Sequence, residues 1–244
     1  MQSSIFENLG ARFLLPPHRM AEQFKHIQAL ILDWDGVFNN GQKTTDKGSP
    51  YSEADSAGTN LLRFAKWLQT TQQIKIAIIT GAGNETAFQL ALREHFHAVY
   101  SKIIDKKLAL LHFCQTYQLE PRQTACFFDD AIDLPMAELC GLRFLIHRKA
   151  SPLFEQFVVQ HQLCDYISAC EGGNYAVREI CEMLISLQNI YEKTLSSRLN
   201  FDEHYQTYWK ERNQIETQFF TSREQEIIPN SLINKSLQAD SISH

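Results

Sequence analysis

The chain is short of everything that would commit it to nucleic acid, membrane or secretion. Its 244 residues carry 23 Lys and Arg against 28 Asp and Glu, a net charge of −5 with a pI near 6.0. That balance gives no electrostatic reason to expect binding to nucleic acid or to an anionic membrane. No apolar run is long enough to span a bilayer. The opening Met-Gln-Ser-Ser-Ile-Phe-Glu-Asn lacks the basic start and apolar stretch of a signal peptide, so the expected location is cytoplasmic. The six cysteines (Cys114, Cys126, Cys140, Cys164, Cys170, Cys181) form no CxxC pair and no metal-type spacing, and reduced core cysteines are expected. The nine histidines show no ligand spacing either. Internal repeats and long low-complexity tracts are also missing. A chain of this length, 44% hydrophobic, has room for one good-sized domain plus extensions.

What it does have is carboxylates at the ends of apolar runs. Ala29-Leu-Ile-Leu32 stops abruptly at Asp33-Trp-Asp35-Gly36. Two like charges one residue apart at a buried strand end repel, and burying either alone costs several kcal/mol in rough terms. A divalent cation resolves both problems. The carboxyl edge of a parallel sheet is also where open α/β folds place their ligands.

The rest of the chain reads as strand–helix alternation. Ile27–Leu32, Ile74–Ile79, Ala98–Tyr100, Ala125–Phe128 and Arg143–Ile146 are expected strands. Helices are expected over 57–71, 84–96, 105–117, near 132–140 and over 174–191. This predicts an α/β fold, a mostly parallel Rossmann-like sheet with helices on both faces. Residues 37–54 hold Gly41, Gly48 and Pro50 and predict a small β-hairpin flap. Residues 1–26, with the breaker Pro16-Pro17, read as a leader. The core domain is then 27–191, and 192–244 is an extension. Its helix from about 201, capped by Asn200, carries the stripe Phe201, Tyr205, Tyr208, Ile215 and Phe219, interrupted by Arg212. The stretch from about Glu224 is polar and expected to fray. With six basic and eight acidic residues from 192 onward, the extension is no polyanion-binding tail.

The polar residues at strand ends are Asp33, Asp35, Thr80, Asp129 and Asp130, while Lys106 and Lys107 open a helix. Phosphoryl transfer to water needs an in-line nucleophile, neutralisation of the equatorial oxygens and an acid for the leaving oxygen. A carboxylate serves as the nucleophile. Oxygen ligands from aspartates suit Mg²⁺. Thr80 and the backbone N–H groups after it, starting with Gly81, can hold a phosphate oxygen.

The run Asp-x-Asp-Gly-Val, then Ile-Thr-Gly, then Asp-Lys-Lys-Leu, then Asp-Asp-x-x-Asp-Leu-Pro resembles the haloacid dehalogenase (HAD) superfamily. The detailed likeness is to its small-flap branch, over roughly residues 27–190. Tyr51-Ser-Glu-Ala-Asp55-Ser-Ala-Gly58 and Gly172-Gly173-Asn-Tyr-Ala-Val-Arg178-Glu echo two further signatures of that branch. The resemblance implies a phosphatase for a small phosphorylated metabolite, with a sugar-acid phosphate the leading class. It makes Asp33 the nucleophile and Asp35 the acid and base. Thr80, Gly81 and Lys107 become the phosphate binders, Lys107 being preferred to Lys106 because Leu108 follows it. Mg²⁺ would be held by Asp33, by Asp35 through its carbonyl, and by Asp129, with Asp130 and Asp133 in support. Asp55 and Arg178 are possible substrate contacts. A homo-oligomer, by resemblance a tetramer, is implied too. The chain departs from the pattern at Asn39-Asn40, at Ala82 where the branch has arginine, at Phe128 where it has glycine, and at Tyr175. Those departures motivate a second reading, a catalytically weak relative acting as a binding or assembly partner. A third keeps the phosphatase and changes the phosphoester.

Overall fold

The computed structural model describes residues 3–43 and 49–230. In chain order its elements are α1 (Ser3–Leu9), β1 (Arg12–Phe13), α2 (Pro17–His26), β2 (Ala29–Leu32), α3 (Glu53–Thr70), β3 (Lys75–Ile79), α4 (Glu85–Arg93) and β4 (Ala98–Ser101). There follow α5 (Lys106–Thr116), β5 (Thr124–Phe128), α6 (Leu134–Ala137), β6 (Leu142–His147), α7 (Pro152–Gln160), β7 (Tyr166–Glu171) and α8 (Ala176–Leu187). The described chain ends with α9 (Tyr191–Leu199), α10 (Glu203–Arg212), β8 (Gln218–Arg223) and β9 (Glu226–Pro229).

The apolar run of β2 has neighbours on both edges, parallel β3 (Leu30 opposite Ile76) and parallel β5 (Ile31 opposite Cys126). The full order is β1-β7-β6-β5-β2-β3-β4-β8-β9. All pairs are parallel except β1–β7 and β8–β9 at the two edges. Side chains alternate between faces along each strand. Leu30, Leu32, Ile76, Ile78 and Phe127 join one core beneath α8, with Val177 and Ile180. Ile31, Ala77, Ile79, Cys126 and Phe128 join the other, with Leu110, Phe113 and Met136. The expected α/β sheet is therefore present, with the central strands β2, β3, β4 and β5 buried on both sides as a parallel sheet requires.

Three expectations change. The leader is part of the fold among the described residues: Phe6, Met20 and Phe24 are buried, and β1 pairs with β7. Pro17 starts α2 at a position where a missing N–H costs nothing, so the breaker works as a helix start. The flap has no hairpin strands among its described residues. Val37 and Phe38 turn inward and are fully buried, an isolated Asp35–Asn39 bridge is the only ladder contact of the flap among the described residues, and Glu53 already belongs to α3. Residues 44–48 of the expected flap lie outside the described residues. In the extension, Asp202 rather than Asn200 caps α10, accepting the Tyr205 N–H at 3.0 Å. The helix stops at Arg212, and Phe219 belongs to β8, paired in parallel with β4. The frayed stretch is a strand over Glu226–Pro229, and residues 231–244 lie outside the described residues.

Candidate active site

Parallel pairing brings the ends of β2, β3 and β5 to one edge of the sheet, and the polar residues with them. There Asp33, Asp35, Thr80, Lys106, Asp129 and Arg148 line an open cavity of about 300 Å³. That is a small-molecule volume.

Asp33 is anchored through its backbone, its N–H donating to the Phe127 carbonyl at 3.1 Å. Its carboxylate is 4% exposed and accepts a 2.5 Å hydrogen bond from Lys106 Nζ. Lys106 donates equally to Asp133 Oδ1 at 2.5 Å. Burial pushes the Asp33 carboxyl well up, Asp133 adds to this, and Lys106 opposes it. Burial also works against the Lys106 charge, but Asp33 and Asp133 outweigh it and hold the ammonium above its usual range.

Lys107, the expected phosphate binder, is exposed and outside this cavity. The lysine in the site is Lys106. Asp105 caps α5 by accepting the Lys107 N–H at 3.0 Å, which makes Lys106 the first helical residue, pointed at the sheet edge. A step of one residue turns the side chain by about 100° around a helix, and Lys107 faces solvent.

Asp129, 4% exposed at the end of β5, is ion-paired through Oδ2 to Arg148 Nη2 in a very short contact. Burial raises its pKa to about 6, against the pull of Arg148 and with a further push from Asp133. Asp130 is exposed and accepts from the Ala131 N–H at 2.7 Å, while its own N–H donates to Asp133 Oδ2 at 3.3 Å. These two close the short turn that carries Asp133 beneath Lys106. Ligand oxygens of Asp33, Asp129 and Asp133 lie within 4.8 Å of one another. Three hard oxygen donors without nitrogen or sulfur fit Mg²⁺. The Asp35 carboxylate is not in this group. It accepts from Ser49 Oγ at 2.9 Å and Asn84 Nδ2 at 3.0 Å, with Lys43 Nζ 3.4 Å away.

Thr80 is buried, and its Oγ1 accepts from the Ala82 N–H and from Asn84 Nδ2. Gly81 and Ala82 line the cavity beside it. The turn after β2 is tied by Asn39, whose Oδ1 accepts from Gly41 N–H at 2.8 Å and whose Nδ2 donates to the Trp34 carbonyl at 3.1 Å. Gly36, at φ +91°, has no room for a side chain, since a Cβ there would overlap the Asp129 carboxylate and the Arg148 guanidinium. Gly173, at φ +74°, lies so close to this turn that a Cβ would sit 2.7 Å from Asn40 N. The Gly-Gly motif is thus a clasp on the turn that carries Asp35.

Asp55 and Arg178 do not reach the cavity. Asp55 is fully buried and accepts the Arg178 N–H at 2.8 Å, capping α8 from the side of α3. The Arg178 guanidinium pairs with Glu182. Phe128 faces the core between sheet and α5, away from the carboxylates. Sequence reasoning missed Asn84, which joins Asp35 to Thr80, and Arg148. The signal for Arg148 was its place just after strand β6, the same edge that delivers the aspartates.

No family model matches the chain. Among curated proteins it is 28% identical over 176 residues to the 3-deoxy-D-manno-octulosonate 8-phosphate phosphatase KdsC of Salmonella typhimurium, covering 70% of this chain and 86% of that one. The crystal structure of 3-deoxy-D-manno-octulosonate 8-phosphate phosphatase from Yersinia pestis superposes with TM-score 0.58 at 27% identity, covering 71% of this chain and 88% of that one. The Moraxella catarrhalis enzyme of the same name, solved with magnesium, phosphate and a KDO molecule, shares the fold. Its TM-score is 0.62 at 23% identity over 74% of this chain and 98% of that one. With the strand-end aspartates and the parallel sheet, these likenesses support a phosphatase-type hydrolase similar to those of the HAD superfamily. Within that class the chain resembles the 3-deoxy-D-manno-octulosonate 8-phosphate phosphatases.

Proposed function

We propose that the chain is a Mg²⁺-dependent phosphomonoester hydrolase working through an aspartyl-phosphate on Asp33, with a sugar-acid phosphate such as 3-deoxy-D-manno-octulosonate 8-phosphate as substrate. The observation that carries this is the buried Asp33 carboxylate on the cavity floor, paired at 2.5 Å with Lys106 and flanked by Asp129 and Asp133. An Asp33 oxygen attacks phosphorus and the bond to the sugar oxygen breaks, with Asp35 donating the proton to the leaving alcohol. Asp35 then takes a proton from the water that attacks phospho-Asp33, which frees phosphate and regenerates the carboxylate. Ser49 and Asn84 hold Asp35 at the rim, where it meets both the leaving group and water. Thr80 Oγ1 and the N–H groups of Gly81 and Ala82 receive the phosphoryl oxygens, and Lys106 supplies fixed positive charge. Asp33 and Asp129, with the Asp35 carbonyl and Asp133 in support, would hold Mg²⁺, which would supply the positive charge that lets carboxylates and phosphate approach. A homo-oligomer belongs to the same proposal and is read by light scattering.

The test is phosphate release from a panel of sugar phosphates, sugar-acid phosphates and an aryl phosphate, with and without chelator. Asp33→Asn is expected to lower the rate by at least about 10³-fold. The best substrate on the panel names the class. Release that Asp33→Asn and chelation leave untouched would overturn the mechanism. No release at all would favour the reading of a silent relative, which the altered Asn39, Ala82 and Tyr175 positions motivate.

A further inference from the structure

The charges at the sheet edge are not shared evenly. Lys106 is bonded to Asp33 and Asp133, whereas Asp129 is paired with Arg148. Arg148 comes from a different strand, just past the end of β6, and reaches across to the end of β5. Its side chain is 35% exposed and Asp129's only 3%, so the guanidinium enters from the cavity side. It meets Asp129 at Oδ2, the same oxygen that a Cβ on Gly36 would overlap. The guanidinium is therefore packed against both the Asp129 carboxylate and the peptide that follows Asp35. Those are the two groups proposed above to hold the cation.

The geometry points to Arg148 as an internal cation that competes with the divalent metal for Asp129, leaving the site when the metal enters and setting the metal concentration at which the enzyme switches on. This rests on the reading of Asp129 as a metal ligand. A divalent ion arriving at Oδ2 would meet the Arg148 guanidinium already in contact there, a like charge at a crowded point where a Cβ on Gly36 would overlap both groups. Metal binding is therefore opposed by the Arg148 pair, and the cost of weakening that pair lowers metal affinity. The displaced guanidinium remains on the wall of the same cavity, facing the space that receives an anionic substrate. Metal loading would then expose a group that attracts the substrate's negative charge. No sequence motif carries this feature, which arises where β5 and β6 lie side by side.

The test is a direct Mg²⁺ and Mn²⁺ binding titration, by calorimetry and by electron paramagnetic resonance of free Mn²⁺, on the full chain without substrate. Arg148→Gln and Arg148→Ala are expected to bind either ion about 5- to 50-fold more tightly than the wild type, the range of a typical coupling between two ligands of one site. Arg148→Lys, which keeps the charge, is expected to stay closer to the wild type. Equal or weaker metal binding by both neutral variants, with circular dichroism like that of the wild type, overturns the proposal. Asp129→Asn separates this from the underlying reading. If it leaves metal affinity unchanged, Asp129 is no ligand and the site assignment fails. If it weakens affinity while the Arg148 variants do not tighten it, only the competition fails.

Discussion

A single residue step decides the polarity of this site. Lys106 and Lys107 are chemically identical and adjacent, and sequence offers only the following leucine to choose between them. The cap decides instead: Asp105 fixes the helix start, and that start puts Lys106 under Asp33. Lys106→Gln is expected to lower phosphate release by about 10²-fold or more, as loss of a preorganised charge does, while Lys107→Gln stays within about twofold. Steady-state rates on both variants check this, and equal losses would refute it. The carboxylates predict a pH effect as well. Burial holds Asp129 at about 6 and Asp33 well above the usual carboxylate range. A raised folded-state pKa gives stability that is complete below the unfolded value and is lost as pH rises through the folded one. The metal-free protein therefore loses this contribution as pH climbs from about 4 past 6. A divalent ion binds the ionised form and restores it. The rise in Tm on adding millimolar Mg²⁺ is expected to be larger at pH 7 than at pH 5, and equal rises would contradict the assignment.

At the scale of elements, the apolar runs that end in acid or hydroxyl were legible because a buried parallel strand has one sequence solution, continuous aliphatics with function at the carboxyl end. The misses have physical causes too. Phe219 fell at helical spacing from Tyr208 and Ile215, yet it sits in β8 because the open edge of β4 offers ladder hydrogen bonds that a lone helix end does not. Arg212 looked like a break in an apolar stripe, but it is buried and pairs with Glu94, to which Ser56 and Asn60 of α3 also donate. Asp55 looked like a candidate for substrate because it lies in the flap-and-helix signature from Tyr51 to Gly58, while its actual partner, the Arg178 N–H, lies far along the chain. It works as a helix cap lent by a neighbouring helix. Asp55→Ala is expected to cost about 1–2 kcal/mol, the loss of a good cap, in urea unfolding with Mg²⁺ affinity unchanged.

For the whole molecule, the doubly wound plan and the position of the cavity followed from strand order, while the edges did not. Each edge is completed by an antiparallel strand from a segment read as peripheral, β1 against β7 and β9 against β8. Truncation after Asn213 removes β8 and β9 and uncovers β4, with the Tyr100 ring that stacks on Phe220. An unpaired, flat hydrophobic edge associates with its like. Size-exclusion chromatography is expected to move the truncated chain to larger species, and an unchanged elution would show that the edge is covered otherwise.

These closures also set an order in time. Arg12 meets Ile167, and Ala98 meets Gln218, so both edges join segments far apart in the chain. Contacts of such separation are slow to form, because the loop entropy is lost before the ladder repays it. During synthesis Arg12 and Phe13 wait until β7 has been made, while the central strands β2 and β3 meet much earlier. The nascent sheet thus spends its longest interval with both flanks open, the state in which a chaperone would find it.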